Sequence, residues 1–452
     1  MVCNCPAGTR YCKREAHLSP LWRILVDHRE NFLRQYERRY SNTHGPLPRG
    51  TEEALEKLLR CGDPNYGLAL LHCADCKIHF AVPFSCKQRA CPSCANRRAE
   101  DLSHLLCEQL PEVTYRHVVV TFPRKMGLRK RFQQNPRLYR QTSRLIHRLL
   151  SRWMPKQVVG CEPTTGRALP GIIMATQSFG AGLKIHPHFH ILVSDGVFTP
   201  GESPEFLPMG HWDTRMLTET VREAVLRSLV ARNCLRQDTA KVMRSWPIER
   251  SGFSVFAGDP LRLPEDRAQV QRVLRYIFRS SLPLSRLSYQ ETTAKVQYRD
   301  PSGQVKQWEH AFDFLADFIQ HIPLARQHTV TYAGHFANAL GNLTPEVEET
   351  TSAETPKPAK TRRTRWAALV LRTWAVDPEL CPRCGQTMRR SKTLCEQQEV
   401  RRLLESLGIG AYPTRPRSPP PPDDDDNLDQ TFGWSPESDT QVPPGWDNWD
   451  AA

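Results

Sequence analysis

Residues 184–193 read Lys-Ile-His-Pro-His-Phe-His-Ile-Leu-Val, apolar and β-branched enough to predict a strand. Side chains alternate along a strand, so His186, His188 and His190 share one face. Pro187, Phe189, Ile191 and Val193 share the other. Three imidazoles are costly to bury without partners. Together they form a platform for a divalent ion. The chain must therefore place a polar strand face where it is both enclosed and useful.

The remaining elements predict an α+β fold. Ser19-Pro20 has the signature of a helix start, followed by a stripe of Trp22, Leu25, Val26, Phe32, Leu33, Tyr36 and Tyr40. A short helix is expected at 51–59, and strands at 117–122, 171–179 and 253–256. Asp195-Gly196 ends the histidine strand. An amphipathic helix spans 266–280, a hairpin joins 294–298 to 305–308, and another helix covers 312–322. Hairpins and short turns point to an antiparallel sheet with flanking helices. The expected division is an N-terminal helical region (1–45), a zinc-binding module (46–110) and a catalytic domain (111–342). A linker (343–364), a helical region with a Cys-x-x-Cys pair (365–412) and a disordered Pro-rich, acidic tail (413–452) complete it.

The 452 residues carry a net charge of +14, unevenly placed. From Ser418 onward there are nine acids and no Lys or Arg, which leaves +23 on residues 1–417. Residues 113–161 contain twelve Lys or Arg and no acid. Arg140, Arg144, Arg148 and Arg152 stand four apart, along one helix face, where they repel one another unless an anion faces them. This balance favours a nucleic acid partner. Neither a signal peptide nor a run of membrane-spanning length is visible, so a reducing, cytoplasmic setting is expected. There, close cysteine pairs read as metal ligands.

Cys73-x-x-Cys76 and Cys91-x-x-Cys94 are spaced to close one four-thiolate zinc site, with Cys61 and Cys86 as alternative ligands. Lys87, Arg97 and Arg98 make this module basic. Cys381-x-x-Cys384 is half a site, left open. On the 266–280 helix, Val270, Val273, Leu274, Ile277 and Phe278 define the buried stripe. Tyr276 falls outside it, between Arg272 and Arg279, as a candidate nucleophile for a phosphodiester.

Several stretches resemble the HUH-endonuclease rolling-circle transposases of insertion sequences, in their zinc-binding group. They include Phe84 to Cys94, His117 to Pro123, Gln177 to Gly180, His186 to Phe198, Gly252 to Val255, Leu274 to Arg279 and Trp366 to Cys384. The resemblance covers about residues 50–410. It implies an HUH pair at His188 and His190, a Mg or Mn ion, zinc in the cysteine module, and Tyr276 as nucleophile forming a 5′-phosphotyrosine. Arg272 stands where many members carry a second tyrosine, so the chain resembles the single-tyrosine branch. His186 and Gln177 compete for the third ligand position. The implied activity is nicking and joining of single-stranded DNA at element ends, by a nucleoid-associated bacterial protein, with oligomers allowed. The rivals are a rolling-circle replication initiator or relaxase, a metallohydrolase without a covalent intermediate, and a non-catalytic zinc DNA-binding protein.

Overall fold

In the computed structural model, residues 19–158, 168–300, 303–324, 327–339 and 377–406, except Pro378 and Pro382, are described. The expected linker, the helix at Trp366 to Trp374 and the acidic tail lie outside these residues. The elements run α1 (Pro20–His44), α2 (Thr51–Leu59), β1 (Leu68–Cys73), β2 (Ile78–Pro83), α3 (Pro92–Gln109), β3 (Thr114–Thr121), α4 (Leu128–Gln134) and α5 (Arg137–Trp153). Then come β4 (Gly171–Phe179), β5 (Ile185–Ser194), β6 (Gly196–Phe198), β7 (Phe206–Pro208), α6 (Thr214–Val230), α7 (Gln237–Ser245), β8 (Ser254–Ala257), β9 (Leu261–Arg262) and α8 (Arg267–Ile277). The last are β10 (Leu287–Gln290), β11 (Lys295–Arg299), β12 (Val305–Trp308), α9 (Ala311–Ile319), β13 (Val330–Gly334), α10 (Phe336–Ala339), β14 (Arg389–Leu394) and a helix at Gln397–Ser406.

The central sheet is antiparallel, in the order β13-β4-β5-β3-β8, with β9 also pairing β3. The histidine strand β5 is therefore interior, although it contains a proline, which cannot donate to a ladder. Pro187 is accommodated because pairing with β3 begins at His188, and the β4 register shifts between Gln177 and Phe179.

Alternation gives the sheet two different faces. Val118, Val120, Ile172, Met174, Phe189, Ile191 and Val193 pack against α4, α5, α6 and α7. Tyr115, Ile173, Ala175 and Leu192 pack against α3, α8 and Phe336 on the other side. At about 25 cal/mol per Å² of apolar area, burial on both faces is the main force holding the layers together. A third core joins α1 and α2 to the β10–β12 meander and α9. It crosses the expected domain boundaries, tying the N-terminal helix to residues 282–319. Ser19 caps α1 by accepting from the Trp22 amide, as the sequence suggests. In the expected α1 stripe, Val26 is an exception: it is exposed, whereas Leu21 and Ile24 are buried. A small sheet of β14-β1-β2 brings the distant C-terminal strand onto the cysteine-rich module.

Candidate functional site

The three histidines of β5 project from the face covered by α8, and all are buried. Burial lowers the pKa of His188 to about 4 and holds those of His186 and His190 well below the usual value. The imidazoles are therefore neutral at pH 7, the form that binds metal. His188 Nδ1 lies 2.7 Å from the backbone oxygen of His186, so it donates there and leaves Nε2 as the lone-pair atom. His190 Nδ1 lies 3.1 Å from Nε2 of His117, whose ring stacks on it at 5.3 Å. Such anchoring of one ring nitrogen orients the other toward a ligand.

Gln177 sits directly across from His188 on β4. Its Nε2 donates to the Ile277 carbonyl at 2.9 Å, and its Oε1 is buried with no hydrogen-bond partner. A buried amide oxygen left this way is costly unless something electropositive meets it. His186 differs. Among the described residues, only two groups bring three or more His, Cys, Asp or Glu ligand atoms within 4.8 Å of one another, and both consist of cysteines. The three histidines thus do not close into a three-imidazole cage. His188, His190 and Gln177 offer the donor types that could hold a hard divalent ion keeping water ligands.

Tyr276 requires a correction. It was expected on a polar helix face between two arginines, but it is only 1% exposed and points at the sheet. Its ring meets His190 edge-on at 5.2 Å and His117 at 6.3 Å. Helix α8 is sandwiched between α3 and the histidine face, so its buried arc is wider than its apolar stripe. Arg279 lies 3.9 Å over the phenol ring and donates to its hydroxyl at 3.1 Å. Arg272 is exposed and faces away. His117, absent from the sequence-based candidates, joins the site because β3 is the neighbour of β5 in this register.

The arginine row also departs from expectation. Arg140, Arg144, Arg148 and Arg152 are exposed, and none makes an ion pair among the described residues. Their helix α5, however, covers the opposite face of the sheet, away from Tyr276. In the cysteine-rich module, Lys87 is exposed, Arg97 donates to the Ser85 hydroxyl at 2.6 Å, and Arg98 is exposed.

The cysteines regroup. Cys73 and Cys76 do not share a site with Cys91 and Cys94. One group is Cys61, Cys86, Cys91 and Cys94; the other is Cys73, Cys76, Cys381 and Cys384. Measured Sγ–Sγ separations are 3.6 Å for Cys61–Cys94 and Cys86–Cys94, 3.7 Å for Cys61–Cys91 and 3.5 Å for Cys73–Cys384. A tetrahedron with Zn–S bonds of about 2.3 Å has edges near 3.8 Å, so both sets fit zinc. The first set stands at the N-terminus of α3, and α3 packs on α8. Glu100 binds Arg275 at 2.6 Å, and the Cys107 carbonyl accepts from Arg267 at 2.7 Å. The Gln271 amide lies 2.9 Å from His104. A metal cluster is thus coupled through one helix to the helix that carries Tyr276.

Comparison with known proteins gives matches to both parts of the chain. Residues 31–122 match a family model described as a transposase zinc-binding domain, and residues 171–342 match one described as a putative transposase. The chain is similar to the putative transposase y4qJ of Sinorhizobium fredii, 25% identical over 396 residues, spanning 79% of this chain and 92% of that one. It is also similar to the transposase for insertion sequence element IS801 of Pseudomonas savastanoi pv. phaseolicola, 24% identical over 357 residues, spanning 74% and 82%. No solved structure matches. No helix among the described residues is long and apolar enough to cross a membrane.

Proposed function

We propose that this transposase, with its zinc-binding domain ahead of its catalytic one, nicks and rejoins single-stranded DNA through a covalent link to Tyr276. The observation that carries the reading is the packing of the Tyr276 ring on His190, with Arg279 bonded to its hydroxyl. Nucleophile, cation and imidazole pair converge on one buried point. His188, His190 and Gln177 would hold a Mg or Mn ion. Bound there, the ion supplies Lewis-acid polarisation of a phosphoryl oxygen.

The chain's own groups do the rest. Tyr276 Oη forms a bond to phosphorus while the bond from phosphorus to O3′ breaks. The phenol loses its proton, and the departing 3′ oxygen takes one up. The 5′-phosphate stays on the tyrosine, and a free 3′-hydroxyl is released. Arg279 is placed to steady negative charge on the phenolic oxygen and on the phosphate. His117 holds the His190 ring in orientation. Rejoining is the reverse displacement, with a 3′-hydroxyl attacking the phosphotyrosine. Arg272, where a second tyrosine would stand, is exposed and outside this point, which supports a single-tyrosine route.

Oligonucleotides labelled at the 5′ or the 3′ end, incubated with the protein and Mn, test this reading. A labelled adduct that survives denaturation, carries only the 3′ label and is absent in Tyr276→Phe is expected. Cleavage without an adduct, undiminished in Tyr276→Phe, would instead indicate hydrolysis by metal-bound hydroxide.

A further inference from the structure

Strand β13 covers the edge of β4 only as far as Ala175, with one further bond from the Thr176 amide to Thr329. Past that point no strand among the described residues pairs with this edge of β4, and a cavity of about 120 Å³ opens there. Gln177, Ile277 and Arg279 line it, so it borders the tyrosine site directly. Its other wall comes from the zinc-binding module: Arg89, from the loop between Cys86 and Cys91, and Arg98, from the second turn of α3. No carboxylate among the described residues lines it. Neither Arg89 nor Arg98 has an ion-pair partner among the described residues. The lining also includes the partly exposed aromatic rings of Phe179 and Phe278, with Phe132 and Tyr139 buried behind it.

Two guanidiniums held together without an acid call for an anion, and aromatic walls beside them suit a base. Resting on the reading above, we propose that this cavity seats the nucleotide next to the scissile phosphate. Arg89 and Arg98 grip the phosphates of a single DNA strand. The zinc-binding module is then one wall of the strand channel as well as a structural support.

The test uses full-length, zinc-loaded protein carrying Tyr276→Phe and measures anisotropy of a labelled single-stranded oligonucleotide across a salt series. Arg89→Ala with Arg98→Ala is expected to weaken binding about tenfold or more and to flatten the salt slope by about 1.4, the loss of two single-strand phosphate contacts. Arg98→Glu, at an exposed position that tolerates change, is expected to weaken binding at least as much as Arg98→Ala. Lys57→Ala, in an exposed helical pair on α2, is expected to leave binding unchanged. Unaltered affinity and slope in both arginine variants would overturn the proposal, and so would equal losses on duplex and single strand. The adduct assay with intact Tyr276, run on the same preparation, separates the two ideas. An adduct that forms normally while the arginine variants bind normally removes only the cavity assignment. A missing wild-type adduct removes the cleavage reading itself.

Discussion

Replacing Glu100 with alanine tests how the zinc module governs the tyrosine. Glu100 is the central contact between α3 and α8. Its carboxylate accepts from Arg275 Nη2 at 3.1 Å, lies 2.6 Å from Arg275 Nε as an ion pair, and also meets His104 at 3.1 Å. The Glu100 side chain is 13% exposed and that of Arg275 37%. Hydrogen bonds to charged groups contribute about 1.5–3 kcal/mol, and stranding a fully buried partner costs about 3–5 kcal/mol. Arg275 can turn partly into water, so a cost of about 2 kcal/mol is expected. Because Tyr276 follows Arg275 in the chain, that loss falls on the segment that aims the proposed nucleophile. If it is felt at the reacting atoms, 1.4 kcal/mol corresponds to about a tenfold slower adduct formation. The assay pairs chemical denaturation with single-turnover adduct formation in saturating oligonucleotide. Glu100→Gln keeps an acceptor for Arg275 and is expected to recover most of the rate. A Glu100→Ala protein that loses its 2 kcal/mol yet reacts at the wild-type rate would refute the idea that α3 positions Tyr276.

Two further outcomes are expected. Wild-type protein should contain two zinc ions per chain, and Cys381→Ser should contain one, measured by mass spectrometry under native conditions; a stoichiometry of two in that variant would contradict the assignment of Cys381 to the second site. His321, buried between the Ser178 hydroxyl and the Leu183 carbonyl, has its pKa lowered to about 4, chiefly by burial. The unfolded chain then binds the extra proton below about pH 6.5, so stability falls as pH drops. Between pH 7 and pH 5 this one group should remove about 2 kcal/mol, lost in the His321→Asn background; equal pH dependence in both proteins would count against it.

The local elements were legible in the sequence, because a run such as 185–193 carries its own period. Its neighbours were not. His117 lies on a strand that reads as purely structural until register sets it beside His190. Helix position marks Tyr276 only as a candidate nucleophile, a role that the resemblance implies, and it misjudges the direction of the ring, which is buried. Apolar spacing marks the greasiest face of α8, whereas the helix is buried on two sides. The arginine row of α5 was correctly placed on one helix face, yet periodicity cannot tell which side of a sheet that helix covers. The cysteine pairs show the same limit. Cys-x-x-Cys spacing identifies half-sites, and the fold decides which halves meet.

The site shared by Cys73, Cys76, Cys381 and Cys384 has a consequence during synthesis. Its first two ligands leave the ribosome long before the last two, and β1 waits equally long for β14. The cluster at the head of α3 can close as soon as Cys94 emerges. While the chain is still on the ribosome, α8 can therefore already be braced by α3 with the edge of the small sheet still open. A message truncated before Cys381 would yield a protein that keeps the histidine strand and Tyr276 and lacks the second clasp.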